Sequence, residues 1–371
     1  MSSSTSQLAP TLFTPIRVGN MHLQHRIVLA PLTRYRAIDD YVPSDIAVDY
    51  YAQRASTPGT LLITEATTIA PRAVGYFNVP GIWNNAQIAA WKKVTDAVHA
   101  QKSFLFMQLW AHGRAALPEV LRRDGPYDLV GPSAIPMDDE HQTPRPLTVQ
   151  EIKEYAQLYA QAAKNAIQAG CDGVEIHAAN GYLLDQFLQT KSNQRTDEYG
   201  GSIENRIRFA CEVVDAIASA IGPESTALRL SPWSIILGMR MPDPIPTFGA
   251  LMEHLAKHQP RLAYIHLVEP RTTGDEDVVP GTDESNDFAR DIWGPRPLLL
   301  AGGFTRETAI EEAERGKMNV LVAVGRQFTS NPDLPGRWMR GKELTPYDRS
   351  TFYTQGAKGY SDWPFLQNVV A

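Results

Sequence analysis

The sequence is poor in cysteine, in basic runs and in long apolar stretches, and each shortage excludes a class of protein. Only two cysteines occur among 371 residues, Cys171 and Cys211. Both sit in apolar surroundings, so they are read as buried structural thiols; they cannot supply a disulfide framework or a thiolate metal site. The histidines lack the His/Cys spacing of a zinc site, and no metal is expected. No Lys/Arg run appears and the net charge is −6, which argues against a nucleic-acid partner. A few local arginines could still hold an anionic ligand. No apolar run reaches the roughly 18–20 residues of a membrane span, so no membrane partner is expected. Met1 to Pro10 lacks the apolar core of a secretory signal, and Asn368 to Ala371 carries no address tag. A cytoplasmic location is the expectation. Gly-x-Ser-x-Gly, the nucleophile motif of one hydrolase class, is also missing.

What the chain does contain is alternation. A hydrophobic fraction of 43% and a charged fraction of 20% are ordinary for a globular protein. Short apolar, β-rich runs read as strands at Ile27–Thr33, Leu61–Thr67, Phe104–Trp110, Gly173–Ala178, Ala227–Ser231, Tyr264–Glu269, Pro297–Gly302 and Val320–Gly325. Helical patterns lie between them, at Ser44–Ala55, Ala86–Ala100, Thr148–Ala169, Ile203–Ile221, Phe248–His258 and Arg306–Arg315. Strand followed by helix, eight times, argues for a parallel sheet that closes into an α/β (β/α)8 barrel. An open doubly wound sheet would need a dinucleotide fingerprint after the first strand, and none is there. Thr148 and Glu151 form a capping box, with Gly170 as the stop. Thr14–Gln24 reads as a hairpin turning at Gly19-Asn20, a plug for the barrel bottom. Residues 111–146 and 271–286 read as large loops over the barrel mouth. Residues 1–371 are expected to form one domain.

In such a barrel the site lies at the C-terminal ends of the strands. The polar residues there are Thr33, Glu65, Gln108, His177, Asn180, Tyr182, Arg229, Glu269, Gly302, Gly303, Gly325 and Arg326. His177, Asn180 and Tyr182 place two hydrogen-bond donors and a phenol at one rim. Such a trio can hold one electronegative oxygen and deliver one proton, as reduction of a double bond beside a carbonyl requires once a hydride is supplied. The last two strands end in Gly-containing turns, where barrels frequently bind phosphate; each turn alone is more often plain punctuation. A guanidinium at the end of an apolar strand, Arg229, needs an anionic or dipolar partner. A structural ion pair with a carboxylate such as Glu65 is the bland reading. Glu65 and Glu269 are also compatible with a glycosidase, which leaves the trio without a joint role.

Beyond these strand ends, nearly the whole chain resembles the Old Yellow Enzyme family, the flavin-dependent ene-reductases that include the 12-oxophytodienoate reductases. The resemblance runs through Leu12-Phe13-Thr14-Pro15, Ala30-Pro31-Leu32-Thr33-Arg34, Ile63-Thr64-Glu65-Ala66, Pro80-Gly81-Ile82-Trp83 and Gln108-Leu109-Trp110-Ala111-His112-Gly113-Arg114. Its most specific part is His177-Ala178-Ala179-Asn180-Gly181-Tyr182 through Leu188, then Asp197 to Arg206; Gly325-Arg326, Ser330 to Leu334 and Tyr347-Asp348-Arg349 follow. The resemblance implies non-covalent FMN, with NADPH as electron donor and NADH as a second possibility. It implies that Gly302, Gly303, Gly325 and Arg326 meet the flavin phosphate. Pro31, Leu32, Ala66 and Gln108 would line the ring, Thr33 its O4 edge and Arg229 its N1/O2 edge. His177 and Asn180 would grip a substrate carbonyl and Tyr182 would protonate the α-carbon. Trp110, Tyr76, Phe352 and Tyr353 would wall the pocket. The expected partner is a small-molecule enone, and the expected state is monomer or homodimer. The chain departs from the family's pattern at Trp233-Ser234-Ile235-Ile236-Leu237 and at Gln327. Related chains also act as FMN-dependent isomerases or dehydrogenases of specialised pathways; the presence of Tyr182 favours net reduction.

Overall fold

The structure, a computed structural model, describes residues 9–274, 276–315 and 319–366. Its centre is a closed barrel of parallel strands: β1 Ile27–Leu29, β2 Leu61–Ile63, β3 Phe104–Trp110, β4 Gly173–Ala178, β5 Thr226–Leu230, β6 Tyr264–Val268, β7 Leu298–Ala301 and β8 Val320–Val324. Each pairs with the next, and β8 pairs back onto β1, which leaves the barrel no free edge. Thr67–Thr68 adds a short ninth strand beside the end of β3. The helices packed outside are α1 Ile46–Arg54, α2 Asn85–Ala100, α3 Val149–Gln168, α4 Ile203–Ile221, α5 Ile245–His258, α6 Asp287–Trp293, α7 Arg306–Arg315 and α8 Leu334–Met339. The α/β barrel read from the sequence is the fold, with shorter first and second strands than the apolar runs suggested.

Strand alternation sorts the residues into two cores. One set, including Leu29, Leu62, Met107, Ile176, Leu228, Ile265, Leu300 and Val322, faces the helices. The other, including Val28, Leu61, Phe106, Ala227, Tyr264, Leu299 and Leu321, fills the barrel and meets Ile16, Val18, Met21 and Leu23. Those four belong to the antiparallel hairpin Ile16–Val18/Met21–Leu23, which therefore plugs the lower end as expected. Only Gly suits its turn: Gly19 has φ +53°, and a Cβ there would lie 2.0 Å from the Glu224 carbonyl oxygen. Higher up, the inward positions change from apolar to polar, and that change creates the site.

The capping box of α3 is formed as read. The Glu151 N–H donates to Thr148 Oγ1 (3.2 Å) and the Thr148 N–H to Glu151 Oε2 (2.7 Å). Gly170 follows at φ +93°. Replacing Thr148 with Ala is expected to lower unfolding stability by about 1 kcal/mol; urea denaturation with the wild-type midpoint would show that the cap contributes nothing. The two long loops hold structure that periodicity did not reveal. Residues 111–146 contain a helix at Pro118–Asp124 and a two-residue pairing of Val130–Gly131 with Arg145–Pro146. Residues 271–286 begin with a tight hairpin, Thr272–Thr273 against Glu276–Asp277. Cys171 and Cys211 are both buried and unpaired, as expected. No helix among the described residues is long and apolar enough to cross a membrane.

Candidate active site

The strand ends open into a cavity of about 550 Å³. Except for Glu65 and Glu269, every site residue picked from the sequence lines it. Pro31, Leu32, Thr33, Ala66, Gln108 and Arg229 form its floor and sides; Gly302, Gly303, Gly325 and Arg326 form one end. His177, Asn180 and Tyr182 stand together with Tyr76, Trp110, Phe352 and Tyr353 at the other walls. Sequence reading missed Tyr35, Thr272, Asp277 and Tyr347, which also line it.

The trio stands on a turn held by residues outside it. Beyond β4, Asn180 and Gly181 take φ +57° and +81°. The Asn180 N–H donates to Ser231 Oγ (2.7 Å), and the Gly181 N–H donates to Asp185 Oδ2 (2.9 Å). Gln186 Nε2 donates to the Gly181 carbonyl (2.8 Å). A Cβ on Gly181 would sit 2.8 Å from Leu237 Cβ, so only glycine fits. Asp185, Gln186 and Ser231 were not read as site residues. Their signal is spacing alone: Asp185 and Gln186 open the next helical turn, and Ser231 ends the neighbouring strand.

The His177 ring accepts from the Ala179 N–H at Nδ1 (3.3 Å). This hydrogen-bond pattern assigns the ring proton to Nε2, leaving Nε2–H as a donor. Burial, with the Arg229 charge nearby, holds the imidazole well below its ordinary pKa, so it is neutral. Asn180 Oδ1 is buried without a hydrogen-bond partner, as is the Trp110 indole N–H. Tyr182 meets Trp110 edge-on at 4.7 Å and His177 at 4.9 Å between ring centroids. Its phenol is hydrogen-bonded to Tyr76, and burial raises its pKa well above the usual tyrosine value. It keeps its proton until a strong base forms beside it.

At the opposite end, Gly302 has φ +150° and a Cβ there would lie 2.6 Å from Glu269 Cβ; Gly303 has φ +61°. Glycine is required there by the close packing of Glu269 and Asp277, and both residues present bare backbone to the cavity. Arg326 directs both guanidinium arms at Asp277 on the 272–277 hairpin, one of them at 2.8 Å. Arg229 behaves differently. Its Nε is buried with no hydrogen-bond partner, and the carboxylate whose charge it feels is Glu175. The ion pair with Glu65, the bland alternative for Arg229, is not formed. Glu65 Oε2 instead accepts the Arg34 N–H (3.2 Å), and burial lifts that carboxyl to about 7. Glu269 is occupied with Asn286 (3.0 Å). The two carboxylates of the glycosidase reading therefore serve the frame.

The upper wall comes from the far end of the chain. Arg34 Nε donates to the Phe352 carbonyl (3.0 Å), and Arg34 Nη2 to that of Gly359 (2.9 Å). Arg36 donates to the carbonyls of Gly356 (2.8 Å) and Thr351 (3.0 Å), and Arg54 to that of Tyr360 (3.1 Å). Tyr360 stacks flat on Tyr50 at 4.0 Å. This clasp delivers Phe352 and Tyr353 to the cavity. Of the departures from the family pattern, Trp233 lies outside the cavity and donates to Asn286 Oδ1 (3.0 Å). Ile236, Leu237 and Gln327 do enter the wall.

The sequence model of the NADH:flavin oxidoreductase / NADH oxidase family matches residues 11–345. The chain belongs to this family. The resemblance to the Old Yellow Enzymes is thereby established, and the protein is an NAD(P)H-dependent oxidoreductase of the flavin class. It is 54% identical over 357 residues to the chanoclavine-I aldehyde reductase fgaOx3 of Penicillium roqueforti, covering 95% of this chain and 96% of that one. The NADP-dependent oxidoreductase lnbE of Aspergillus flavus is 50% identical, with 97% of each chain covered. Among solved structures, Old Yellow Enzyme from Pichia sp. AKU4542 superposes with a TM-score of 0.89 at 40% identity, over 96% of this chain and 94% of the other.

The cavity fits a flavin mononucleotide. The glycine turns at Gly302 and Gly303 leave room and backbone donors for a phosphate. Arg229 brings a buried cation with an unmet N–H, and Thr272 Oγ1 and Gln327 Oε1 are further buried polar atoms without partners. Among the described residues no cluster suited to a metal ion occurs.

Proposed function

We propose that this oxidoreductase is an FMN-dependent ene-reductase acting on α,β-unsaturated carbonyl compounds, conjugated aldehydes among them. The observation that carries the reading is the convergence of the neutral His177 Nε2–H donor, the Asn180 amide and the protonated Tyr182 phenol on one wall. The name of the Penicillium relative, an aldehyde reductase, supports the aldehyde. The chemistry that bound FMN would supply is hydride transfer, from NAD(P)H to the carbon β to the carbonyl.

The residues of the chain do the rest. His177 and Asn180 hold the carbonyl oxygen and stabilise the negative charge that grows on it. Tyr182 gives its proton to the α-carbon. Gln108, Thr33 and Arg229 hold the cofactor's pyrimidine edge, with Pro31, Leu32 and Ala66 against the ring. Gly302, Gly303, Gly325 and Arg326 hold its phosphate, and Trp110, Tyr76, Phe352 and Tyr353 exclude water from the substrate. NADPH is the proposed donor, consistent with the name of the Aspergillus relative.

The test is purification followed by heat or acid release. A yellow supernatant identified as FMN, with consumption of NADPH when a conjugated aldehyde is added, is the expected outcome. Protein that takes up no added FMN overturns the reading. Protein that binds FMN yet does not oxidise NADPH in the presence of any enone or enal is a binding module instead.

A further inference from the structure

Beneath the cavity floor the barrel interior holds a second polar layer. Glu175 lies on β4, two residues before His177, and so faces the same inward side. It is 0% exposed, as is His266 on β6. Glu175 Oε1 accepts from Gln108 Nε2 (2.7 Å), and Oε2 accepts from His266 Nδ1–H (2.8 Å). Arg229, on the strand between them, pairs in register with His177 on one side and His266 on the other. Gln108 and His266 are thus hydrogen-bonded to one buried carboxylate, whose charge Arg229 also feels. Isolated burial of a carboxylate is costly, so this group has to be compensated. Burial pushes Glu175 up, but His266, Arg229 and Gln108 together bring it below the usual carboxylate range, while burial lowers His266. The layer is one anion, one cation and one neutral imidazole.

The bonding has a direction. Gln108 gives one Nε2–H to Glu175, which fixes the way its amide faces and leaves the carbonyl oxygen and a second N–H for the cavity. Arg229, whose Nε has no hydrogen-bond partner, keeps its donors for the cavity while Glu175 offsets its charge from below.

We propose that Glu175 is a positioning residue of the reaction. It fixes the orientation of the Gln108 amide and sets how much of the Arg229 charge reaches the bound cofactor. This rests on the reading above, in which Gln108 and Arg229 meet the pyrimidine edge of FMN. Reduction places negative charge on that edge. Arg229 favours the reduced form, and Glu175 opposes it.

The test is the midpoint potential of the purified holoenzyme, read by dye-coupled reduction, with FMN affinity read by fluorescence. Glu175→Gln is nearly isosteric and can keep both hydrogen bonds, its N–H₂ donating to His266 if the ring proton moves to Nε2. Its reduction equilibrium should shift toward reduced flavin about tenfold, which is ~30 mV for a two-electron couple. Arg229→Met should shift it the opposite way. His266→Gln, which keeps the carboxylate charge, should stay within about twofold of wild type, since no net charge is lost.

An E175Q potential at or below wild type overturns the proposal, as does an H266Q shift equal to that of E175Q. If E175Q holds no flavin, Glu175→Asp decides: it keeps the charge, but its shorter side chain releases Gln108. FMN affinity should then fall at least about tenfold, the scale of one lost charge-assisted hydrogen bond. Unchanged affinity in E175D overturns the proposal. Wild-type protein that binds no FMN sinks the functional reading instead, a distinguishable failure.

Discussion

Replacing His177 and Asn180 together with alanine should abolish turnover of a conjugated ketone or aldehyde while the flavin stays bound. Loss of one oxyanion donor typically costs about 10²–10³ in rate, so losing both should reach ~10⁴ or more unless one compensates for the other. Neither residue is needed to hold the barrel. His177 accepts only a local backbone N–H, and Asn180 Oδ1 bonds nothing. The flavin spectrum should therefore remain close to wild type, with a modest fall in the thermal melt from the emptied His177 site and from Ala at the φ +57° of position 180. Because His177 is held well below its ordinary pKa by burial, it is already neutral across the working range. Its proton sits on Nε2 throughout, and wild-type turnover should show no inflection from this ring as pH rises through the usual histidine range. Binding of a phenol gives an independent measure, since a phenolate occupies the place of the growing oxyanion. Wild-type enone kinetics in the double variant would exclude the oxyanion role.

Tyr182→Phe should separate the two half-reactions. The phenol proton is required only once the substrate has accepted a hydride, so flavin reduction by NADPH should proceed near the wild-type rate. Reoxidation by a simple enone should slow by about 10²–10⁴, the range for loss of a positioned general acid. A nitroalkene should suffer less, because its nitronate is stable without immediate protonation. Burial raises the Tyr182 pKa well above the usual value; its proton is therefore still in place as pH passes the ordinary tyrosine range, and the enone half-reaction should not fall there. Rapid mixing of each half-reaction alone gives both rates. Equal slowing of the two would make Tyr182 a packing residue and place the acid elsewhere.

The strand ends were legible because the chain repeats one unit: an inward polar residue follows an apolar run, and the period of two puts it inside the barrel. This held for Gln108, His177 and Arg229, and it equally described Glu175. Glu175 went unread because attention to strand ends passes over a carboxylate in mid-strand, and Glu65 was offered as the partner of Arg229 in its place. The short helices were illegible for a different reason. Asp287–Trp293 and Leu334–Met339 span two turns or less, too few for a 3.6-residue pattern to repeat. The glycine turns, weak in isolation, gained meaning only when the barrel brought Gly302, Gly303 and Gly325 to one end of one cavity. Asp277 and Tyr35 carried no local signal; their place depends on how loops fold across the mouth.

The arginine clasp also imposes a timetable on biosynthesis. Arg34 and the Phe352 carbonyl it holds are 318 positions apart. At synthesis rates of about 5–20 residues per second, roughly 15–60 s separate the making of the two. Throughout that interval Arg34, Arg36 and Arg54 have no carbonyls of residues 351–360 to bind, and the cavity lacks its outer wall. The last barrel strand ends at Val324, so the barrel can close before Phe352 and Tyr353 are made, with only the outer wall of the cavity still missing. Cofactor capture can therefore precede completion of the pocket that uses it.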